Sequence, residues 1–135
     1  MTASLSDELK KYIDEQKVFA TVATILPDGQ PHLTVVWIKR DGEDLVFSTT
    51  AQRMQGRNLA RDPRITVMIN PPENPYTYAA VRGTATLTPD TTGELADELA
   101  RKFTGQDFAS FMGGNAADGD RLIVRVTPAK VTGRL

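Results

Sequence analysis

Three features of the sequence predict a mainly β, antiparallel fold, a barrel or strongly curled sheet with helices packed outside it. Stretches rich in Val, Ile, Thr and Phe recur at short intervals along the chain. Most are joined by tight-turn residues, as hairpins are, and not by the helical crossovers that parallel strands need. Gly83 interrupts the longest β-rich run, where a bulge curves a sheet. With 135 residues, close to the commonest domain size, about seven strands and three helices are expected in one domain, 1–135.

Residues 4–16 have the pattern of a short amphipathic helix: Ser4 with Asp7 makes a capping-box-like start, and Leu5, Leu9, Tyr12 and Ile13 share a face. The period then changes, and residues 18–26 form a strand that ends at the turn residues Pro27, Asp28 and Gly29. Residues 32–40 (HLTVVWIKR) and 44–50 (DLVFSTT) are the next two strands, joined by the hairpin signal Asp41-Gly42. Residues 52–61 are helical, and Pro63 turns Asp62 away from helical backbone. Residues 65–70 form a compact apolar strand. The NPPENP segment after it carries three prolines and is excluded from a sheet interior. Residues 76–88 read as a long strand, and Asp90 or Thr91 caps a helix that runs to about Phe103. Gly113-Gly114 and Asp118-Gly119 punctuate a flexible connection, after which residues 121–126 and 130–132 supply the closing strands.

Composition removes several functions. A net charge of −1 lacks the basic excess that neutralises phosphates, so no nucleic-acid partner is expected. No cysteine is present, which excludes disulfides, thiolate nucleophiles and cysteine-ligated metals. The polar first residues do not resemble a signal peptide, and no apolar run approaches the roughly 20 residues of a membrane span, so a cytoplasmic protein is expected. His32 is the only histidine and cannot build a multi-histidine metal site; it reads as a half-exposed strand residue just after a turn. Neither a GxGxxG nor a P-loop fingerprint occurs, and no acid pair or Ser-His-Asp set stands out, so no catalytic side chain is assigned.

The most informative stretch is STTAQRMQGRNLARDPR, from Ser48 to Arg64. Three hydroxyl residues, Ser48, Thr49 and Thr50, end a strand and lead into a helix whose first N–H groups and dipole favour an anion. Arg53, Arg57 and Arg61 follow at four-residue spacing, roughly on one face, and a guanidinium fork suits phosphate. The pattern reads as a phosphate cradle, and equally as a solvated helix face paired with Asp62 and its neighbours.

RNLARDPRITVMIN at Arg57–Asn70, followed by ENPYTYAAVRGTATLTPD at Glu73–Asp90, resembles the flavin/deazaflavin split β-barrel superfamily, which includes pyridoxamine 5'-phosphate oxidase-like proteins. The branch using the deazaflavin coenzyme F420 is the more similar. VFATVATILPDGQPHLTVVWI near the start, KFTG at Lys102–Gly105 and RLIVRVTPAKV from Arg121 extend the resemblance over nearly the whole chain. It implies an FMN-binding split-barrel fold and a homodimer with two cofactor sites at the subunit interface. It also implies phosphate contacts at Thr49, Thr50, Arg53, Gln55, Arg57 and Asn58, with Val35, Val36 and Trp37 near the ring system. Tyr76 and Tyr78 are expected from the neighbouring region or the partner subunit, and as residues two apart in a strand they would share one face. At Gln55 many relatives carry a Lys that pairs with phosphate, so the neutral amide lowers the expected affinity several-fold to more than tenfold.

Hydride transfer asks little of side chains, because the cofactor carries the chemistry and the protein positions it. The expected function is therefore an oxidoreductase passing hydride from reduced F420 to an unsaturated or carbonyl-type small-molecule acceptor, with solvent or a Tyr hydroxyl as the proton source. An FMN-binding oxidase or flavin reductase of the same fold, and a non-catalytic carrier of a cofactor or small ligand, are the alternatives.

Overall fold

The computed structural model describes residues 3–113 and 119–135. Gly114 and Asp118, two of the residues expected to punctuate the late connection, lie outside the described residues. The first helix, α1 (Asp7–Glu15), starts later than the sequence suggested: Ser6, not Ser4, is the cap, its Oγ accepting from the Leu9 N–H at 3.0 Å. This start puts Leu9 and Ile13 fully inside the main core and leaves Asp7 and Glu8 in the first turn, where the helix dipole favours acids.

The strands are β1 (Phe19–Ile25), β2 (Pro31–Trp37), β3 (Lys39–Asp41), β4 (Asp44–Thr50), β5 (Arg64–Ile69), β6 (Ala79–Pro89) and β7 (Arg121–Gly133). All pairings are antiparallel, in the order β2-β1-β5-β6-β7-β4-β3. The two edge strands, β2 and β3, are separated in the chain by Ile38 alone. A sheet whose opposite edges are joined by one residue has to curl until they meet, and the result is a half-barrel with a split between β2 and β4.

Seven strands were expected and seven are found, but two differences cancel. The second expected strand divides at Ile38, whose side chain turns into the core as the chain passes from one edge to the other. The two closing strands are one, because a register shift between Arg82 and Gly83 lets Pro128 and Ala129 stay within β7. Gly83 faces Pro128 there, and a Cβ on it would lie 2.2 Å from the Thr127 carbonyl oxygen. The bulge read from Gly83 is thus present, and only glycine fits this close approach. Residues 76–78 do not join β6, which begins at Ala79. They belong to the preceding turn, where the Thr77 N–H donates to the Asn74 carbonyl at 3.0 Å.

Alternate residues of the curled sheet fill its interior. Val22, Val67, Val81, Val124 and Val126 are fully buried there together with Phe47 and the inner face of α1. Helix α2 (Met54–Arg61) follows β4, and α3 (Glu94–Thr104) lies on the outer face of the sheet, where Leu95, Leu99 and Phe103 enclose Val46. β4 is therefore covered on both sides. The N-cap of α3 is Gly93, later than the expected Asp90 or Thr91, but the Asp90 carboxylate does accept from the Glu94 and Leu95 N–H groups at 3.1 Å each. A one-turn helix, α4 (Phe108–Phe111), was not anticipated. Asp107 caps it, and Asp97 of α3 accepts from the Phe108 N–H at 3.0 Å.

Candidate functional site

A groove of about 310 Å³ opens between the split edge of the sheet and the α3–α4 pair. Six residues expected at a cofactor site line it: Val35, Val36, Trp37, Ser48, Arg53 and Gln55. β2 supplies the first three, β4 supplies Ser48, and the turn into α2 supplies Arg53 and Gln55.

Arg53 is the N-cap of α2, in extended backbone, and its N–H donates to Thr50 Oγ1 at 3.1 Å. Thr50 is buried and spends its hydroxyl on this turn; it does not line the groove. Arg53 makes no side-chain capping bond to the first turn of α2. Gln55 is only 6% exposed. Its Oε1 accepts from the Thr49 hydroxyl, and its Nε2 donates to Thr34 Oγ1 at 2.6 Å. The amide thereby ties β4 to β2 across the split, where no backbone ladder joins them.

The other expected contacts are distributed differently. Thr49 points inward and is fully buried. Asn58 is also buried, donating to Thr24 Oγ1 at 3.0 Å while its Oδ1 accepts from Arg61. Arg61 also donates to the Ile25 carbonyl, so Asn58 and Arg61 fasten α2 to β1 beneath the groove. Arg57 is exposed, with Nη2 3.7 Å from Met54 Sδ. The Arg53, Arg57 and Arg61 series therefore does not form one basic face toward the groove; a helical repeat fixes their spacing, but each meets a different neighbour. Tyr76 is 88% exposed, and neither it nor Tyr78 lines the groove of its own protomer. The Tyr78 carbonyl instead accepts from the N–H groups of Arg134 and Leu135. His32 lies half-buried on β2 outside the groove, as its reading as a strand residue implies.

An aromatic wall faces the polar end. Trp37 stacks on Phe103, with ring centroids 5.4 Å apart and planes at 17°, and Phe111 tilts against Trp37 at 5.2 Å. Phe19 meets Phe103 edge-on at 5.5 Å. Trp37 was expected near the ring system of a ligand; within the protomer it already has Phe103 as a stacking partner. Sequence reasoning missed Phe19, Phe108, Phe111, Met112 and Arg121 in the lining. Arg121 donates to Ser48 Oγ at 3.3 Å and to the Thr49 carbonyl at 3.5 Å, with its guanidinium 4.3 Å from the Phe108 ring centroid. Only strand register, which sets Arg121 opposite Thr50, brings it here. Among the described lining residues the groove has two guanidiniums, a hydroxyl and an amide, but no carboxylate. That donor set beside an aromatic wall fits a flat ring carrying an anionic group.

The curled sheet, the split at Ile38 and this groove define a split-barrel protein. The family model for pyridoxamine 5'-phosphate oxidase matches residues 5–134, and the chain belongs to that family. Among solved structures, an F420 reductase is 30% identical, with 90% of this chain and 94% of that one covered and a TM-score of 0.78. A conserved hypothetical protein from Mycobacterium tuberculosis is 24% identical, over 96% of this chain and 84% of that one, with a TM-score of 0.71. The haem storage protein HutZ from Vibrio cholerae shares the fold at 15% identity, with 98% and 96% covered and a TM-score of 0.70.

Proposed function

We propose that the groove binds the phosphorylated deazaflavin F420 and that the protein passes hydride from its reduced form to an unsaturated or carbonyl-type small-molecule acceptor. The observation that carries this reading is the groove itself: an aromatic wall against Arg53, Ser48 and Gln55, with no carboxylate among the described lining residues. Likeness to an F420 reductase at 30% identity over nine-tenths of the chain supports it. When bound, the reduced cofactor supplies the hydride, and the acceptor takes a proton as well. The chain's own part is to hold the anionic end at Arg53 and to keep water from the ring with Phe19, Trp37 and Phe111. No Tyr lines the groove among the described residues, which favours solvent, or a Tyr of the partner subunit, as the proton source.

The site also requires a second copy. On the outer face of β1 and β2, Phe19, Leu33 and Val35 are 58%, 63% and 65% exposed, with Met68 beside them on β5. Phe19 and Val35 line the groove as well, so the groove runs into this apolar face, and a homodimer covering it would complete the ring pocket.

One observation favours FMN as the second reading. A long anionic tail suits a basic groove extended over three arginines, whereas Arg57 and Arg61 face elsewhere and the cations of the groove sit at one compact end. A short terminal phosphate fits that arrangement. Titrating the protein with F420, FMN and their dephosphorylated counterparts, read by quenching of the single tryptophan Trp37, tests both readings. Submicromolar binding of one phosphorylated form selects it, and no binding of either rejects both.

A further inference from the structure

We infer that a basic groove on the outer face of the sheet, built around Arg82 and Lys130, is a binding site for a phosphate dianion, separate from the aromatic groove. Strand register assembles it. β6 pairs with its two neighbours so that Arg82 stands opposite Thr66 of β5 and Lys130 of β7, while Arg64 stands opposite Thr84. Residues opposite one another in antiparallel strands project from the same face, with Cα atoms about 5 Å apart. That face is the outer one, because Ile65, Val67 and Val81, which alternate with these residues, are buried. The register shift at Gly83 leaves Ala129 without a partner on β6, and a bulge of this kind bends its strand. A groove of about 460 Å³ lies at the bend, where the small residues Ala23, Gly83 and Ala129 line it beside the cations and hydroxyls.

Elsewhere Lys10, Lys39, Arg40, Arg64 and Arg125 each form a salt bridge with a carboxylate. Among the described residues Arg82 and Lys130 have no such partner, and no carboxylate lines their groove. Like charges set directly opposite on neighbouring strands cost stability, yet a chain of net charge −1 keeps this pair. Arg64 is the third cation of the groove, but its Nε and Nη2 are bonded to Asp62. Two full positive charges therefore remain to be matched. A phosphate dianion matches them in charge and in donor geometry: Arg82 offers a planar fork, Lys130 a point charge, and Thr66 and Thr84 offer hydroxyls beside them. The rival account makes the groove a contact for acids of a second copy, since Ala23 in its lining pairs with Leu33 of the apolar face.

The test is calorimetric titration of the whole protein at low salt with inorganic phosphate and with glycerol 3-phosphate, for wild type, Arg82→Gln, Lys130→Gln and Arg82→Lys. Wild type should bind saturably, and either Gln variant should bind about tenfold to a hundredfold more weakly. Arg82→Lys should keep part of the affinity, and binding should weaken as salt is raised. Tighter glycerol 3-phosphate assigns the site to a phosphomonoester, and equal affinities assign it to the free ion. FMN is titrated in parallel through Trp37, which lines only the aromatic groove among the cavities described; its affinity should stay within about twofold in both Gln variants. No saturable phosphate binding by wild type, or binding unchanged in both Gln variants, overturns the inference. Equal loss of FMN and phosphate binding overturns it too. So does phosphate binding lost together with a shift from dimer to monomer in sedimentation, which assigns the cations to a subunit contact. If wild type binds phosphate as expected but no ring ligand, this inference stands and the proposed function fails.

Discussion

Gln55 shows how one side chain can be read correctly by position and incompletely by role. Its place in the phosphate-binding segment is legible in the sequence, and it does line the groove. What the sequence does not reveal is that both ends of its amide are engaged, to Thr34 and Thr49, closing the split in the barrel. Removing a buried group that satisfies two others leaves unpaired polar atoms behind. Gln55→Ala should therefore cost about 1–3 kcal/mol, seen as a lower urea midpoint at constant m-value. Gln55→Lys has two separable consequences. Lysine cannot accept the Thr49 hydroxyl proton, so stability should fall. A cation beside Arg53 should nevertheless raise the preference for a phosphorylated over a phosphate-free flavin by roughly threefold to thirtyfold at low salt. An unchanged preference means that the residue-55 side chain does not face the anion. Arg53→Ala should weaken binding of the phosphorylated ligand about tenfold or more while leaving the urea midpoint nearly unmoved, because its side chain lies outside the apolar core.

At the scale of elements, the position of α2 decides whether the groove exists. Gly56 lies so close to the end of β4 that a Cβ would come within 2.0 Å of the Thr50 carbonyl oxygen. Gly56→Ala should push α2 away, destabilise the fold by about 1–3 kcal/mol and reduce ligand affinity together with stability, unlike Arg53→Ala. Beyond α2, the turn into β5 is held by Asp62, whose carboxylate accepts from the Arg64 guanidinium and its backbone N–H. The Arg64 hydrogen bonds hold the Asp62 carboxyl down at about 2. A depressed carboxylate stabilises the folded state above its unfolded value of about 3.9, and that contribution disappears as pH falls through about 2. Asp62→Asn should thus lower the melting temperature at pH 5, with the gap to wild type closing near pH 2. The sequence made most elements legible through period changes, turn residues and Gly83. Strand division at Ile38, fusion across Pro128 and the release of Tyr76 and Tyr78 from β6 were not legible. Each depends on which strand lies opposite, and local pattern does not encode register.

For the whole molecule, the apolar face of β1 and β2 and the groove are one continuous surface, so assembly and ligand binding should fail together. Sedimentation should find a dimer at micromolar concentration, and Leu33→Glu, placed on that face outside the groove, should give a folded monomer that binds cofactor more weakly. A dimeric Leu33→Glu variant with normal binding would separate the two surfaces. The same scale explains why half of the candidate site was visible beforehand. Residues 48–55 are contiguous and carry their chemistry in local order, whereas Phe19, Phe111 and Arg121 reach the groove only through the curl of the sheet and the β4–β7 register. The account's central claim is that this groove recognises a flat ring with a phosphate. It is tested most directly by one side-by-side titration of the wild-type protein with F420, FMN, riboflavin and haem, followed through Trp37. The account predicts saturable 1:1 binding per protomer of F420 or FMN, at least tenfold tighter than riboflavin, with an advantage that shrinks as salt is raised. Equal affinity for riboflavin and FMN, or tight binding of haem alone, would contradict it.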